Sequence, residues 1–171
     1  MNSMKKQSFN RYLLPIILLL FSSGSSASSF AALTGNQNSV DDYTGKGKWV
    51  VLMIWASDCH ICNRESQSYV EFHEKYKNDN AVVVGLSMDG KAGTSDALEF
   101  LDRNKVSFDS LIGEPEQVAS FYSEKVGIPW AGTPTFMIYA PDGSLAAQQV
   151  GAVPTELLEN FINSQSGNTA E

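Results

Sequence analysis

Cysteine is nearly absent from this chain: among 171 residues there are only Cys59 and Cys62. One pair cannot form the several disulfides that hold small secreted domains together. It cannot complete a four-ligand structural zinc site either, because His73 lies about three helical turns, or roughly 16 Å, beyond Cys62 along a helix. We expect His73 to be a surface residue. Two cysteines separated by two residues are instead typical of a redox centre.

Basic residues are also few. The chain has 12 Lys and Arg against 19 Asp and Glu, which gives a net charge of −7 at pH 7. Nucleic-acid binding depends on clustered Lys and Arg that neutralise phosphates. We therefore expect no nucleic-acid partner, and a solvated acidic surface instead.

Long hydrophobic runs are missing as well. The run from Leu13 to Phe21 has nine residues, whereas a membrane-spanning helix needs about 20. Three basic residues precede this run, and a Ser/Ala-rich stretch through Ala32 follows it, which is the arrangement of a cleavable signal peptide. We predict a signal peptide over residues 1–31 and export to the periplasm. The alternative is an uncleaved N-terminal anchor facing the periplasm, which would be the only membrane contact.

The remaining chain has the length of one domain, which we place at residues 32–164, with a polar C-terminal tail at 165–171. Runs of β-branched residues alternate with stretches of helical apolar spacing, which predicts an α/β domain. We expect buried strands at 49–55 and 81–88, a short strand at 108–112 and a hairpin at 135–139 and 145–150. Helices are expected over 61–77, from Asp96 with Leu98 on its apolar side, from Pro115 to Val126, and from Thr155.

The two cysteines fall where the first buried strand gives way to a helix. This position puts Cys59 at the helix N-terminus, where unpaired N–H groups and the helix dipole stabilise a thiolate over a thiol. The thiolate is the nucleophile of disulfide exchange. Cys62 lies one helical turn deeper and is expected to be more shielded. We therefore interpret Cys59 as the attacking cysteine and Cys62 as the resolving one.

Four segments, in this order, carry a resemblance to a known family. They are residues 42–52, the motif Trp55-Ala56-Ser57 with Cys59, Cys62 and Glu65, the segment Gly132-Thr133-Pro134-Thr135-Phe136-Met137-Ile138, and the turn Ala140-Pro141-Asp142-Gly143. Over residues 40–164 the sequence resembles the thioredoxin-fold thiol-disulfide oxidoreductases of the TlpA/ResA type. The resemblance implies a central mixed β-sheet flanked by helices, with a helical insert between the second core strand and the cis-proline strand.

The resemblance also implies roles for residues around the cysteines. Pro134 would hold a cis peptide bond, and Thr133 would offer backbone groups to the substrate chain. Asp58, His60 and Glu65 would tune the dithiol. No metal and no separate cofactor are expected, because the Cys59–Cys62 disulfide itself carries the electrons. The chain departs from the family pattern in having Ile61 where a proline is common and Asp58 where an aromatic residue is common.

Several functions remain open at this point. We expect an enzyme that reduces disulfides in exported client proteins, and the resemblance implies a membrane electron donor of the DsbD type. The same site, poised differently, would oxidise or isomerise clients. A different class of function is copper binding by Cys59, Cys62 and His60 in a metallochaperone. The pair could also form a structural bridge, although so small a ring removes little entropy from the unfolded chain.

Overall fold

The structure is a computed structural model that describes residues 29–167, with side chains through residue 165. Within this range six strands and four α-helices follow one another along the chain, with short 3-10 helices at Val40–Asp42 and Lys91–Gly93. None of the helices in the described part of the chain is long and apolar enough to cross a bilayer. The elements are β1 (Ala31–Ala32), β2 (Trp49–Trp55), α1 (His60–Tyr76), β3 (Ala81–Ser87), α2 (Thr94–Arg103), β4 (Ser110–Ile112), α3 (Pro115–Val126), β5 (Thr135–Tyr139), β6 (Leu145–Val150) and α4 (Thr155–Gly167).

The six strands form one mixed sheet in the order β1-β4-β3-β2-β5-β6. Strands β2, β3 and β4 are parallel, while β5 runs antiparallel to β2 and β1 runs antiparallel to β4. Trp55 is therefore level with Ser87, and Ile54 is level with Thr135. The ends of β2 and β3 and the start of β5 meet at one side of the sheet. We call this side the cysteine edge, because the CxxC motif follows β2.

Hydrophobic side chains cover both faces of the sheet, as expected for an α/β layer structure. On one face, α1, α2 and α4 pack on the sheet, and ring contacts join Trp55 to Phe100 and Tyr69 to Phe136. On the other face, α3 packs together with Phe30 from the start of the chain. Every residue of β2 is buried, which confirms the prediction of a strand covered on both sides. The predicted fold class is confirmed.

The ends of the fold differ from the sequence-based expectation. Phe30 is only 4% exposed, and Ala31 pairs with β4, so the predicted boundary between residues 31 and 32 cuts through β1. At the other end, α4 continues to Gly167, so the first residues of the predicted tail are helical. Residues 1–28, with most of the predicted signal peptide, and residues 168–171 lie outside the described residues.

For two side chains, Leu98 and His73, the burial expected from the sequence is wrong. Leu98, expected on the apolar side of α2, is 44% exposed, because the buried stripe of that helix consists of Ala97, Phe100 and Leu101. His73, expected at the surface, is buried. Its Nδ1 atom accepts a hydrogen bond from the Val83 N–H at 3.1 Å.

Candidate active site

Cys59 and Cys62 are joined by a disulfide with their Cα atoms 5.2 Å apart. Cys59 is the N-cap of α1, with extended backbone angles, and its sulfur accepts a hydrogen bond from the Cys62 N–H at 3.1 Å. The first turn of α1 contains no acidic residue. The attacking sulfur predicted from sequence therefore lies where the helix offers it an N–H group and a partial positive charge.

The two sulfurs differ in their access to solvent. Cys62 is completely buried, whereas Cys59 is half-buried. Disulfide exchange requires a client sulfur to approach one cysteine along the line of the S–S bond. Of the two sulfurs, only that of Cys59 is open to such an approach. The division between an attacking and a resolving cysteine stays a prediction.

The cis-proline segment lies at the cysteine edge because β5 runs antiparallel to β2. The Thr133–Pro134 peptide bond is cis, as predicted, and it is the only cis bond among residues 29–167. Pro134 is buried, and its carbonyl accepts a hydrogen bond from the Gly151 N–H at 2.8 Å. Thr133 is half-buried. Its use as a substrate contact stays a prediction.

The three predicted tuning residues lie close to the cysteines in the sequence and differ in their exposure, and their tuning role stays a prediction. Asp58 and His60 flank Cys59 in the chain, and both are exposed. Asp58 also lines a cleft of about 240 Å³ together with Ser57, Asp96, Glu99 and Arg103. Glu65 is half-buried and forms an ion pair with Arg64 at 3.0 Å. Its charge adds to the effect of burial in raising the pKa of the Tyr69 hydroxyl.

Asn63 is a structural support of the site that sequence reasoning missed. Its side-chain amide donates hydrogen bonds to the carbonyls of Ser57 at 3.1 Å and Cys59 at 3.0 Å. Its side-chain oxygen accepts bonds from Arg103 at 2.9 Å and Asn104 at 3.2 Å, both from the end of α2. The only sign of this role in the sequence is the position of the amide, directly after the second cysteine and one turn into the helix. Its partners at positions 103 and 104 appear only once the helices are packed.

A thioredoxin-like sheet with a CxxC disulfide at the N-terminus of its first long helix and a cis-proline at the same edge defines the class of this protein. It is a thioredoxin-fold protein with a dithiol-disulfide site. Residues 23–148 match the model of the AhpC/TSA family. This chain belongs to that family.

Individual relatives agree with the class. The chain is 27% identical over 118 residues to the thiol-disulfide oxidoreductase ResA of Oceanobacillus iheyensis, a match that spans 69% of this chain and 57% of that protein's length. It is also 27% identical over 143 residues to the ResA of Geobacillus kaustophilus, a match that spans 82% of this chain and 76% of that protein's length. Among solved structures, a DsbF homologue from Corynebacterium diphtheriae superposes with a TM-score of 0.66 at 29% identity, over 79% of this chain and 82% of that one.

Proposed function

We propose that this protein is an exported thiol-disulfide oxidoreductase that reduces disulfides in client proteins. The observation that carries the proposal is the asymmetric Cys59–Cys62 pair, with one sulfur accessible at a helix N-terminus and the other buried one turn deeper. The similarity to proteins named thiol-disulfide oxidoreductase supports the same chemistry. No cofactor is needed, because the disulfide itself takes up and releases two electrons.

The reaction uses only the two sulfurs of this chain and those of the client. In the reduced protein, the Cys59 thiolate attacks one sulfur of a client disulfide, and the other client sulfur leaves as a thiolate. Cys62 then loses its proton and attacks the Cys59 sulfur of the mixed disulfide, which releases the second client thiolate. The client gains two electrons, and the protein is left with the Cys59–Cys62 disulfide seen in the structure.

Further turnover requires a dithiol donor that reduces this disulfide. We propose that the donor is a membrane protein of the DsbD type and that the reaction takes place outside the cytoplasm, where the predicted signal peptide would deliver the chain. Thr133 and Pro134, at the edge where the cysteines lie, are the proposed backbone contact for the client segment next to its disulfide. Asp58, His60 and Glu65 are the proposed electrostatic modulators of the dithiol.

The direction of electron flow is tested by the reduction potential of the pair. We expect glutathione titration with thiol-specific mass labelling to give a value near the roughly −270 mV of thioredoxin. A value above about −180 mV would instead favour an oxidase or isomerase.

A trapping experiment tests the order of attack. In Cys62→Ser the mixed disulfide cannot be resolved, so we expect a stable covalent adduct between Cys59 and a model disulfide protein. The matched variant Cys59→Ser should form none, because Cys62 is completely buried. Adducts of equal yield in both variants would contradict the assigned roles.

Copper binding is the second candidate function. Among the described residues no three His, Cys, Asp or Glu side chains are grouped so that they could hold a metal ion. Copper binding would therefore have to arise in the reduced form, from Cys59, Cys62 and His60. Stoichiometric copper on the reduced protein would support it, and dithiol cycling in metal-free buffer would support the redox function.

A further inference from the structure

Asp89 reaches the cysteine loop from a separate part of the chain, the segment after β3. We propose that Asp89 is a positioning residue of the dithiol site, whose carboxylate fixes Ser57 and thereby keeps the Cys59 sulfur at the first turn of α1. The inference rests on the proposed function, since it concerns the reactivity of the same cysteine.

The contacts of the Asp89 carboxylate are directed at a single residue of the loop. Both of its oxygens accept a hydrogen bond from the Ser57 N–H, each at 3.1 Å from the nitrogen. Oδ1 also accepts a hydrogen bond from the Ser57 hydroxyl at 2.8 Å. The carboxylate is itself held by the hydroxyl of Ser87, which donates to Oδ2 at 2.6 Å. Ser87 is completely buried at the end of β3. The orientation of Asp89 is thus fixed by the sheet, and the position of Ser57 is fixed by Asp89.

Ser57 is held from its other side as well. The carbonyl of Ser57 accepts a hydrogen bond from the side chain of Asn63 at 3.1 Å. Two residues further on, the Cys59 N–H donates to the Ala56 carbonyl at 3.1 Å and closes the turn. The loop between β2 and α1 is therefore fixed by two side chains from different parts of the chain: Asn63 in α1 and Asp89 in the segment after β3.

This fixation matters most in the reduced protein. In the oxidised form, the covalent bond to Cys62 holds the Cys59 sulfur in place. After reduction that bond is gone, and the sulfur is kept near the positive end of α1 by the loop contacts, by the hydrogen bond from the Cys62 N–H and by the hydrogen bonds from Asn63 to the Cys59 carbonyl. The Cys62 N–H and the positive end of α1 both favour the thiolate. A displaced loop would leave Cys59 with a higher pKa and a lower reactivity near pH 7.

The charge of Asp89 and its positioning effect oppose each other. A carboxylate near a thiol disfavours the thiolate, so loss of the charge alone would lower the pKa of Cys59. Loss of the loop contacts would raise it. The direction of the change in an Asp89 variant therefore shows which effect is larger.

The experiment measures the alkylation rate of Cys59 by iodoacetamide as a function of pH in the reduced, full-length protein, with peptide mass mapping to separate Cys59 from Cys62. In Asp89→Ala we expect the midpoint of the pH profile of Cys59 alkylation to move to higher pH. We expect the alkylation rate at pH 7 to fall at least fivefold. Asp89→Asn keeps one acceptor oxygen and should show a smaller shift in the same direction. Asp96→Asn is the matched control: Asp96 is an exposed carboxylate that lines the cleft beside Asp58, and its variant should leave the midpoint unchanged or lower it.

An Asp89→Ala midpoint that is unchanged or lower would overturn the proposal, and so would an equal shift in Asp96→Asn. If Asp89→Ala does not fold, as judged by circular dichroism, Asp89→Asn decides by the same criterion. The alkylation profile needs no client. If the wild-type protein reduces no disulfide, the proposed function fails, and the role of Asp89 is still decided.

Discussion

His73 accepts a hydrogen bond from the Val83 N–H on the side of β3 that faces β4. The sheet offers no partner there, because the pairing of β3 with β4 begins only at Gly85. To accept this bond at Nδ1, the imidazole must be neutral. Burial lowers the pKa of His73, and the nearby carboxylate of Glu74 opposes that shift only in part. The folded protein therefore binds a proton at His73 less readily than the unfolded chain does.

The consequence is a loss of stability in mild acid. At pH well above about 6.5, the usual histidine pKa, His73 is neutral in both states and its contribution to stability is fully present. As the pH falls below that value, the unfolded chain takes up the proton first, and the free energy of unfolding drops by up to about 1.4 kcal/mol per pH unit. Urea unfolding at pH 7.5, 6.5 and 5.5 measures this drop.

The comparison of two variants isolates the effect. We expect His73→Gln to lose most of the drop between pH 6.5 and 5.5, whereas His60→Gln, which replaces an exposed side chain, should retain it. The carboxylates with lowered pKa, Glu74 and Asp142, lose their contribution only at lower pH. Equal pH dependence in wild type and His73→Gln would show that His73 is not its source.

At the scale of the element, β3 depends on its glycine, Gly85. A Cβ atom on Gly85 would lie 2.5 Å from the Ser110 hydroxyl oxygen and 2.9 Å from the indole nitrogen of Trp55. The Trp55 ring is stacked on Phe100 with ring centres 4.2 Å apart, so it has little room to move. We expect Gly85→Ala to destabilise the protein by about 1–3 kcal/mol, as overpacked cores do, in urea unfolding.

A second substitution tests this steric explanation. Ser110→Ala removes the atom closest to the added methyl group, and the Ser110 hydroxyl has no hydrogen-bond partner among the described residues. We expect Ser110→Ala to be nearly neutral alone and to restore part of the stability of Gly85→Ala. Simple additivity of the two changes would argue against a clash at this site.

At the scale of the whole molecule, the fold includes residues that were expected to leave with the signal peptide. Phe30 packs edge-to-face on Phe121 with ring centres 5.5 Å apart, and Gln117 donates to the Ser29 carbonyl at 2.6 Å. We expect cleavage, where it occurs, to leave Ser29 in the mature protein. The intact mass of the protein purified from cells that express the full chain measures the cleavage position.

Shortened chains test the same point in vitro. A chain that begins at Ser29 should unfold like the longest soluble form. One that begins at Leu33 loses the buried Phe30 ring and β1, which should cost about 3–5 kcal/mol by analogy with Phe→Ala changes in cores. Equal stability of the two chains would mean that β1 and Phe30 contribute nothing to the fold.

The sequence predicted those features that depend on local pattern. The apolar run at Trp49–Trp55, the proline that begins α3 and the turn at Pro141–Gly143 each identify an element without knowledge of its neighbours. The two-residue strand β1 is too short to show a pattern. The burial and hydrogen bond of His73 depend on the residue at which β4 begins to pair with β3, and the sequence around His73 carries no sign of that position. The contact of Asp89 with Ser57 spans 32 positions and exists because Trp55 and Ser87 are level in the sheet.

The antiparallel pairing of β1 with β4 determines which end of the chain is suitable for a tag, a fusion partner or a surface linkage. Ala31 is level with Ile112, which is level with Ser87 and so with Trp55, so the chain enters the fold on the side of the disulfide. Phe161 in α4 contacts Trp49, at the opposite end of β2. A tag or surface linkage at Ser29 would lie on the same side of the sheet as the cysteines, whereas one after α4 would leave them facing away from the support. Immobilised assays and fusion proteins should therefore use the C-terminal end.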